Sequence, residues 1–342
     1  MELKLKRSKK GPILLPTNNT WENRYVFNPA VFELNEQIHL LYRAQGDDMV
    51  SRLGLARLGK ADAVVERSSD PVFAPDPSSE YEVLGVEDPR VTKIGDKYYI
   101  LYTAASHYPE IVEFDKAHKR PEHWRVRVSL AYTRDFHSFT RYGVVIGHID
   151  SKDAALFPEL INDNYLMVHR VIPHARLAIA SDARNYKERG PLFWPRPGMW
   201  DSKRIGMGAP PIKTPYGWLL FYHGVGDNNV YRLGLALLDL HNPAIVLGRS
   251  SEPVLEPEET YEKEGFIPNV VFACGAIETN QEYLVYYGGA DSVVGLATIS
   301  KEVILKWAKE VCDSCSSFHT FEQYGKEQKG ELYVSRDEDP LL

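Results

Sequence analysis

In the stretch GVEDPRV at 85–91 a glutamate and an aspartate, Glu87 and Asp88, stand side by side, with Arg90 two positions on. Adjacent carboxylates are costly to bury unless a cation pairs with them or a reaction uses them. Arg90 can pair with either, so the group reads equally as a salt bridge locking a strand entrance and as the acid of a reaction centre. Other polar residues interrupt apolar runs near their ends: Arg43 in LLYRAQ, His169 and Arg170 in LMVHR, His223 in LLFYHG and Asp291 after YYGGA. A lone histidine of this kind is ordinarily a satisfied interior residue. The same placement in several segments points instead to a shared polar pocket, to which Asn28 of FNPAVF also belongs.

A second set is cationic. Arg52 opens RLGLA, and the motif returns as VRVSLA at 126–131, ARLAIA at 175–180, YRLGLA at 231–236 and VVGLA at 293–297. Arg127, Arg176 and Arg232 take the matching place, and Val294 takes it in the last copy. Arginine offers an oxyanion a fixed bidentate fork, whereas lysine offers a point charge. A salt bridge between neighbouring elements would explain any one of these arginines as well. Lys152 in SKDAALFPE, with Lys203 and Arg204 in WDSKRIG, adds further cations.

The elements that position these residues are strands. Each copy of the arginine motif follows an aromatic and aliphatic run, as in IHLLYRAQ at 38–45, KYYILYTAA at 97–105 and WLLFYHGV at 218–225, with turn formers such as Gly95-Asp96 between runs. That is the pattern of hairpins. A short segment containing Pro or Asn precedes each run; the positions matched across them are Asn28, Asp88, Pro158, Ala209 and Asn269, spaced by 60, 70, 51 and 60 residues. A fourth element recurs as DPVFAP, GPLFWP and EPVLEP, with YGVVIG a weaker copy. GPILLP at 11–16 stands ahead of the first full repeat while the last repeat lacks one, so an N-terminal strand is expected to complete the final unit. Four strands in five units describe an all-β, five-bladed β-propeller, which removes long exposed sheet edges by radial repetition. A two-sheet sandwich would need the recurring order of all strand classes to be coincidence. The repeats assign 1–299 to a single propeller and 300–342 to a helix, seeded by SKEVILKWAKEV at 300–311, and a polar tail.

The chain has 342 residues and a formal net charge of −7, and its one dense basic run, LKLKRSKK at 3–10, reads as a solvated terminus. No nucleic-acid partner is expected. No segment approaches the roughly 18 apolar residues of a membrane span, and no secretory leader is evident. Three cysteines, Cys274, Cys312 and Cys315, suit a reducing, cytoplasmic setting. Cys312 and Cys315 form a CxxC spacing that lacks the second pair a metal site would need.

The motifs FNPA, VSRLGLA, GVEDPR, KDAALFPE, VHR, WDSKRIGMGAPPI, FYHG, YRLGLALLD, GFIPNVVFACG and YYGGADSVVGLA, in that order, resemble those of glycoside hydrolase family 130, the β-mannoside phosphorylases and related mannosidases, over roughly residues 11 to 300. The resemblance implies a five-bladed propeller. It also implies inverting phosphorolysis of β-1,2- or β-1,4-linked mannosides to α-mannose 1-phosphate, with Asp88 as the catalytic acid, acting in some members through the mannose 3-hydroxyl. Inorganic phosphate is then a co-substrate, and no metal or organic cofactor is required. An inverting hydrolase needs a second carboxylate as base, about 6.5–9.5 Å from the acid. A phosphorylase needs cations there instead. The resemblance makes Arg52, Arg127, Lys152, His223 and Tyr231 the phosphate ligands, and gives Asn28, Arg43, Glu87, His169, Arg170 and Asp291 to substrate.

Two rivals stay open: a hydrolase on the same fold with Glu159 as base, and a carbohydrate-binding propeller without catalysis. The loop at 107–125, which includes Tyr108, Phe114, His123 and Trp124, is expected to cover the acceptor sugar or to contact another subunit. A homo-oligomer is compatible with the sequence, which does not choose between the two linkages.

Overall fold

The structure is a computed structural model in which residues 2–108 and 124–318 are described. Phe114, His123 and most of the loop at 107–125, together with the tail from 319 onward, lie outside the described residues.

Strand β1 (Lys6–Arg7) stands alone at the start. The first blade is β2 (Tyr25–Leu34), β3 (Gln37–Gln45), β4 (Ser51–Lys60) and β5 (Ala63–Arg67); the second is β6 (Gly85–Ile94), β7 (Lys97–His107), β8 (Trp124–Thr133) and β9 (Thr140–Ile146). The third is β10 (Lys152–Leu156), β11 (Tyr165–Val171), β12 (His174–Ala180) and β13 (Lys187–Phe193). In the fourth, the inner strand is split by Gly208–Pro211 into β14 (Arg204–Met207) and β15 (Ile212–Thr214), followed by β16 (Gly217–Val225), β17 (Tyr231–Leu238) and β18 (Val246–Arg249). The fifth has β19 (Val271–Glu278), β20 (Glu282–Gly289) and β21 (Val293–Ser300), and β1 supplies its outer strand by pairing with β21. Leu14 of GPILLP also bridges to Val294, so the N-terminal segment closes the ring as the repeats require. The fold is the five-bladed β-propeller.

Closure is visible in the packing as well. One apolar cluster joins Phe32 of blade one to Tyr98 of blade two, another Leu101 to Met167, a third Val168 to Trp218, and a fourth Phe221 to Val271. A fifth brings Tyr286 of the last blade against Leu40 and Tyr42 of the first. The inner and middle strands therefore bury both faces between neighbouring blades, which explains runs that are apolar throughout rather than strictly alternating. The sheets of blades one and two are also linked by one parallel bridge, between Ser51 and Gly85. Gly85 has φ +133, and a β-carbon there would meet the Ser51 backbone nitrogen at 2.5 Å, so only glycine fits.

A buried ionic clasp repeats in four blades. A carboxylate ahead of the inner strand accepts from a middle-strand tyrosine and pairs with an outer-strand arginine. In blade one these are Glu22, Tyr42 at 2.9 Å and Arg67 at 2.5 Å; in blade two they are Glu82, Tyr102 at 2.7 Å and Arg141 at 2.9 Å. Asp201, Tyr222 and Arg249 repeat it in blade four at 2.8 and 3.4 Å. In blade five the acid is Glu262, on the short helix α1 (Thr260–Lys263), its tyrosine is Tyr287 at 2.7 Å, and its arginine is Arg7 of β1 at 2.8 Å. The closing strand is thus fastened by the same device as the other blades. Blade three carries its carboxylate on the outer strand instead, where Glu188 accepts from Arg176 at 2.7 Å.

Two expectations need correction. Pro158 lies beyond β10, and it is Asp153 that falls in the irregular register of this inner strand, because the strand begins within SKDAAL rather than at LFPELI. The C-terminal helix α2 (Lys301–Phe318) outruns the 300–311 read from periodicity. Its CxxC spacing sets Cys312 and Cys315 one turn apart, and their thiols donate to the carbonyls of Tyr216 and Leu247, both at 2.9 Å, so the pair packs the helix onto blade four. Among the described residues no helix is long and apolar enough to cross a membrane.

Candidate active site

Three inner strands break register at an Asx residue in the left-handed region: Asn28 with φ 46, Asp88 with φ 48 and Asp153 with φ 54. Asparagine and aspartate tolerate this conformation better than most residues, and a bulge re-aims the side chain it carries. Here the result is a cavity of about 440 Å³, within the 300–1,000 Å³ typical of small-ligand sites.

On one side lie the carboxylates. Oδ1 of Asp88 accepts from Asn28 Nδ2 at 2.8 Å and from Arg43 Nη1 at 3.1 Å, while Arg43 Nη2 donates to Glu87 Oε1 at 2.7 Å. Arg43 is itself fixed by Ser51 Oγ at 2.9 Å and by the Phe27 ring, 4.6 Å below its guanidinium. The partner of Glu87 and Asp88 is therefore Arg43 and not Arg90. Arg90, 1% exposed, donates to the carbonyls of Asp88 at 2.8 Å, Met207 at 2.8 Å and Gly208 at 3.1 Å, tying the Asp88 bulge to the split inner strand of blade four. Asp291, on the turn after β20, also lines the cavity.

Facing Oδ2 of Asp88 is the Lys152 ammonium at 3.9 Å. Arg170, Arg204 and Tyr231 continue this wall, with Arg204 Nη2 donating to the Tyr231 hydroxyl at 2.7 Å. Behind it Asp153, fully buried, holds Arg170 at 2.8 Å and His223 at 3.3 Å from the same oxygen.

Charge and burial pull these groups apart. Burial would raise the Asp88 carboxyl, but Arg43, Lys152 and Arg90, with the Asn28 hydrogen bond, hold it below its ordinary range. Glu87 is pushed up, chiefly by burial, with the charge of Asp88 adding to it against Arg43. Burial, reinforced by Asp88 and Glu87, lifts Asp291 to about 7. Burial outweighs Asp153 at His223 and lowers it to about 4, whereas Arg170 and His223 outweigh burial at Asp153 and hold it well below the carboxylate range.

Of the residues singled out from sequence, Asn28, Arg43, Glu87, Asp88, Trp124, Lys152, Arg170, Arg204, Tyr231 and Asp291 line this one cavity. His223 lies one layer behind, with no exposure. His169 is equally buried, with Nδ1 2.7 Å from Ser151 Oγ and Nε2 3.3 Å from Glu188, and burial lowers it to about 3. It faces blade three's own polar cluster rather than the cavity. Arg52 and Arg127 are not brought to the cavity either. Arg52 pairs with Asp48 at 2.7 Å, Arg127 with Asp150, Arg176 with Glu188, and Arg232 with Glu256 at 3.1 Å. A carboxylate nearby answers the repeated arginine in each blade that has one, so the repeat itself is explained by ion pairing. Glu159 is also outside: it is half exposed and bound to Lys213 at 2.6 Å. Sequence reasoning missed Asp153 and the clustering of Phe266, Ile267 and Phe272 around the cavity.

A family model described as β-1,4-mannooligosaccharide phosphorylase matches residues 6–310. A 1,2-β-oligomannan phosphorylase of Thermoanaerobacter sp. (strain X514) is 42% identical over 310 residues, covering 88% of this chain and 99% of the relative. The solved β-1,2-mannobiose phosphorylase of Listeria innocua, in complex with β-1,2-mannobiose, superimposes with a TM-score of 0.76 at 30% identity, over 89% of this chain and 99% of that one. A structure from work on family 130 hydrolases that target β-1,2-mannosidic linkages in Candida mannan superimposes with a TM-score of 0.78 at 27% identity, over 87% and 94% of the two chains.

Proposed function

Because the chain belongs to glycoside hydrolase family 130, we propose that it cleaves a terminal β-1,2-linked mannosyl unit by phosphorolysis, releasing α-mannose 1-phosphate and the shortened mannoside. The observation that carries this reading is the wall opposite Asp88. It presents Lys152, Arg170, Arg204 and the Tyr231 hydroxyl, while Glu159 is tied up elsewhere. Water needs a base for in-line attack, whereas phosphate arrives as an anion and needs cations to hold it.

In this reading Asp88 donates a proton toward the departing glycosidic oxygen as phosphate attacks C1 from the cationic side, and the single displacement inverts the anomeric centre. Asn28 and Arg43 occupy Oδ1, which leaves Oδ2 to carry the proton. Arg43, Lys152 and Arg90 favour the ionised form of Asp88; a phosphate that draws Lys152 toward itself weakens that hold and favours the protonated acid. Arg43, Glu87 and Asp291 serve the mannosyl hydroxyls. Arg170 and Tyr231 join Lys152 in holding phosphate, and His223 supports them from behind through Asp153. Charge is handled by side chains throughout, so the reaction asks for no metal or organic cofactor. The three cysteines, none of them in a disulfide, suit a reducing, cytoplasmic compartment.

The β-1,2 linkage follows the more similar relatives rather than the wording of the family model. Comparing initial rates on β-1,2- and β-1,4-mannobiose at saturating phosphate tests it. A preference for the β-1,2 substrate is expected; faster turnover of the β-1,4 substrate would overturn the assignment.

A further inference from the structure

Large apolar side chains stand exposed where the polar cavity opens. Phe266 and Ile267 are each 41% exposed and Trp124 is 51% exposed, and all three contribute to the cavity lining. Exposed apolar surface that adjoins a polar site marks a place where something docks.

This rim is built to stay in place. The Phe266 ring stacks on Tyr25 with centroids 4.7 Å apart. The Phe266 amide donates to Ser292 Oγ at 2.8 Å, and the Ile267 amide donates to the Ala290 carbonyl at 3.1 Å. Both acceptors flank Asp291, so the rim is indexed to the turn that carries a cavity carboxylate. Gly265 permits this close seating: a β-carbon there would lie 2.5 Å from Ser292 Oγ and 2.6 Å from the Ala290 carbonyl. Ring and carboxylate are thus held at a fixed separation, as successive sugar units along one chain would require.

A pyranose carries its hydroxyls around the edge and exposes C–H groups on its faces, and those faces pack on aromatic rings. The charged walls suit the mannosyl unit being transferred together with phosphate. The rim residues continue the lining of this cavity of about 440 Å³ outward, along the path that further sugar units would take. We propose that Phe266, backed by Tyr25 and continued by Ile267 and Trp124, is a docking face for acceptor-side mannose units beyond the scissile bond, and that it sets a preference for oligosaccharides longer than the disaccharide. The proposal rests on the phosphorylase reading of the cavity.

Its test is kcat/KM for β-1,2-mannotriose and β-1,2-mannobiose, each with phosphate, in wild type, Phe266→Ala and Phe266→Tyr. The trimer-to-dimer ratio is expected to exceed one in wild type and to fall roughly tenfold in Phe266→Ala, equivalent to about 1.4 kcal/mol and carried in KM. Phe266→Tyr, which keeps a stacking ring, is expected to retain the wild-type ratio, and thermal melting identifies any variant that has lost the fold. A wild-type ratio at or below one, or a ratio that Phe266→Ala leaves unchanged, overturns the docking face while leaving phosphorolysis intact. Failure of wild type to consume either substrate with phosphate would instead sink the reading beneath it.

Discussion

The side-chain amide of Asn28 donates a hydrogen bond to Oδ1 of Asp88 across 2.8 Å. The two residues are 60 positions apart, on the inner strands of adjacent blades, and each occupies a left-handed bulge. One blade therefore orients the candidate acid of the next. With Arg43 also on Oδ1, only Oδ2 is open toward Lys152 and the cavity.

Asp88→Asn removes the transferable proton while keeping the shape. Turnover of β-1,2-mannobiose is expected to fall by about 10²- to 10⁴-fold with the thermal transition largely preserved, because Arg43 retains Glu87. Asn28→Ala, which frees Oδ1 without removing the carboxyl, is expected to cost less and to move the basic limb of the pH profile, where the acid loses its proton, to higher pH. Steady-state rates across pH separate the two effects.

The cationic wall and the repeated arginines make opposite predictions. Lys152→Met is expected to raise KM for phosphate by roughly 10- to 100-fold, the scale of a hydrogen bond to a charged group. Arg52→Ala, which breaks the pair with Asp48 and a hydrogen bond to the Val50 carbonyl, is expected to leave that KM within about twofold. Phosphate titrations at fixed mannobiose read both.

The ring clasp is testable without substrate. Arg7→Ala leaves Glu262, wholly buried, with its tyrosine but without its cation. Breaking one side of a buried pair costs about 3–5 kcal/mol. Chemical denaturation should show a loss of that order, whereas Arg52→Ala, which breaks a more exposed pair, should stay within about 1 kcal/mol.

Acidification should loosen the interior before it protonates most carboxylates. His223 and His169 are held to about 4 and about 3 in the folded chain, below the ordinary value of about 6.5. As pH falls below about 6.5 the unfolded state takes up protons that the folded state refuses, so stability is lost down to the folded values. Each histidine contributes on the order of 3 to 5 kcal/mol to that loss. Asp153 adds a loss of the same sign at lower pH, as its ionised form becomes unavailable. Melting temperatures between pH 7 and pH 4 should decline steadily; a flat profile would mean that neither imidazole is kept neutral by burial.

The blade count, ring closure and most of the cavity lining were legible in the sequence, because strand periodicity and ordered repeats are local patterns. Arg52 and Arg127 misled for the same reason. A repeated arginine announces a repeated need, but whether an oxyanion or a nearby carboxylate meets it depends on contacts such as Arg127 with Asp150, which sequence spacing does not specify. His169 ends an apolar run as His223 does, yet blade three places its carboxylate on the outer strand and draws His169 toward it. Arg90 stands two residues from Asp88 but spends its donors on carbonyls near residue 208, a contact across the ring that no local pattern encodes.

The most direct measurement is phosphate dependence: incubate the protein with β-1,2-mannobiose, with and without inorganic phosphate, and quantify mannose and mannose 1-phosphate together with the anomer formed. Equimolar mannose and α-mannose 1-phosphate, appearing only when phosphate is present, is the expected result. Release of free mannose alone, at a rate indifferent to phosphate, would contradict it and make this propeller a hydrolase.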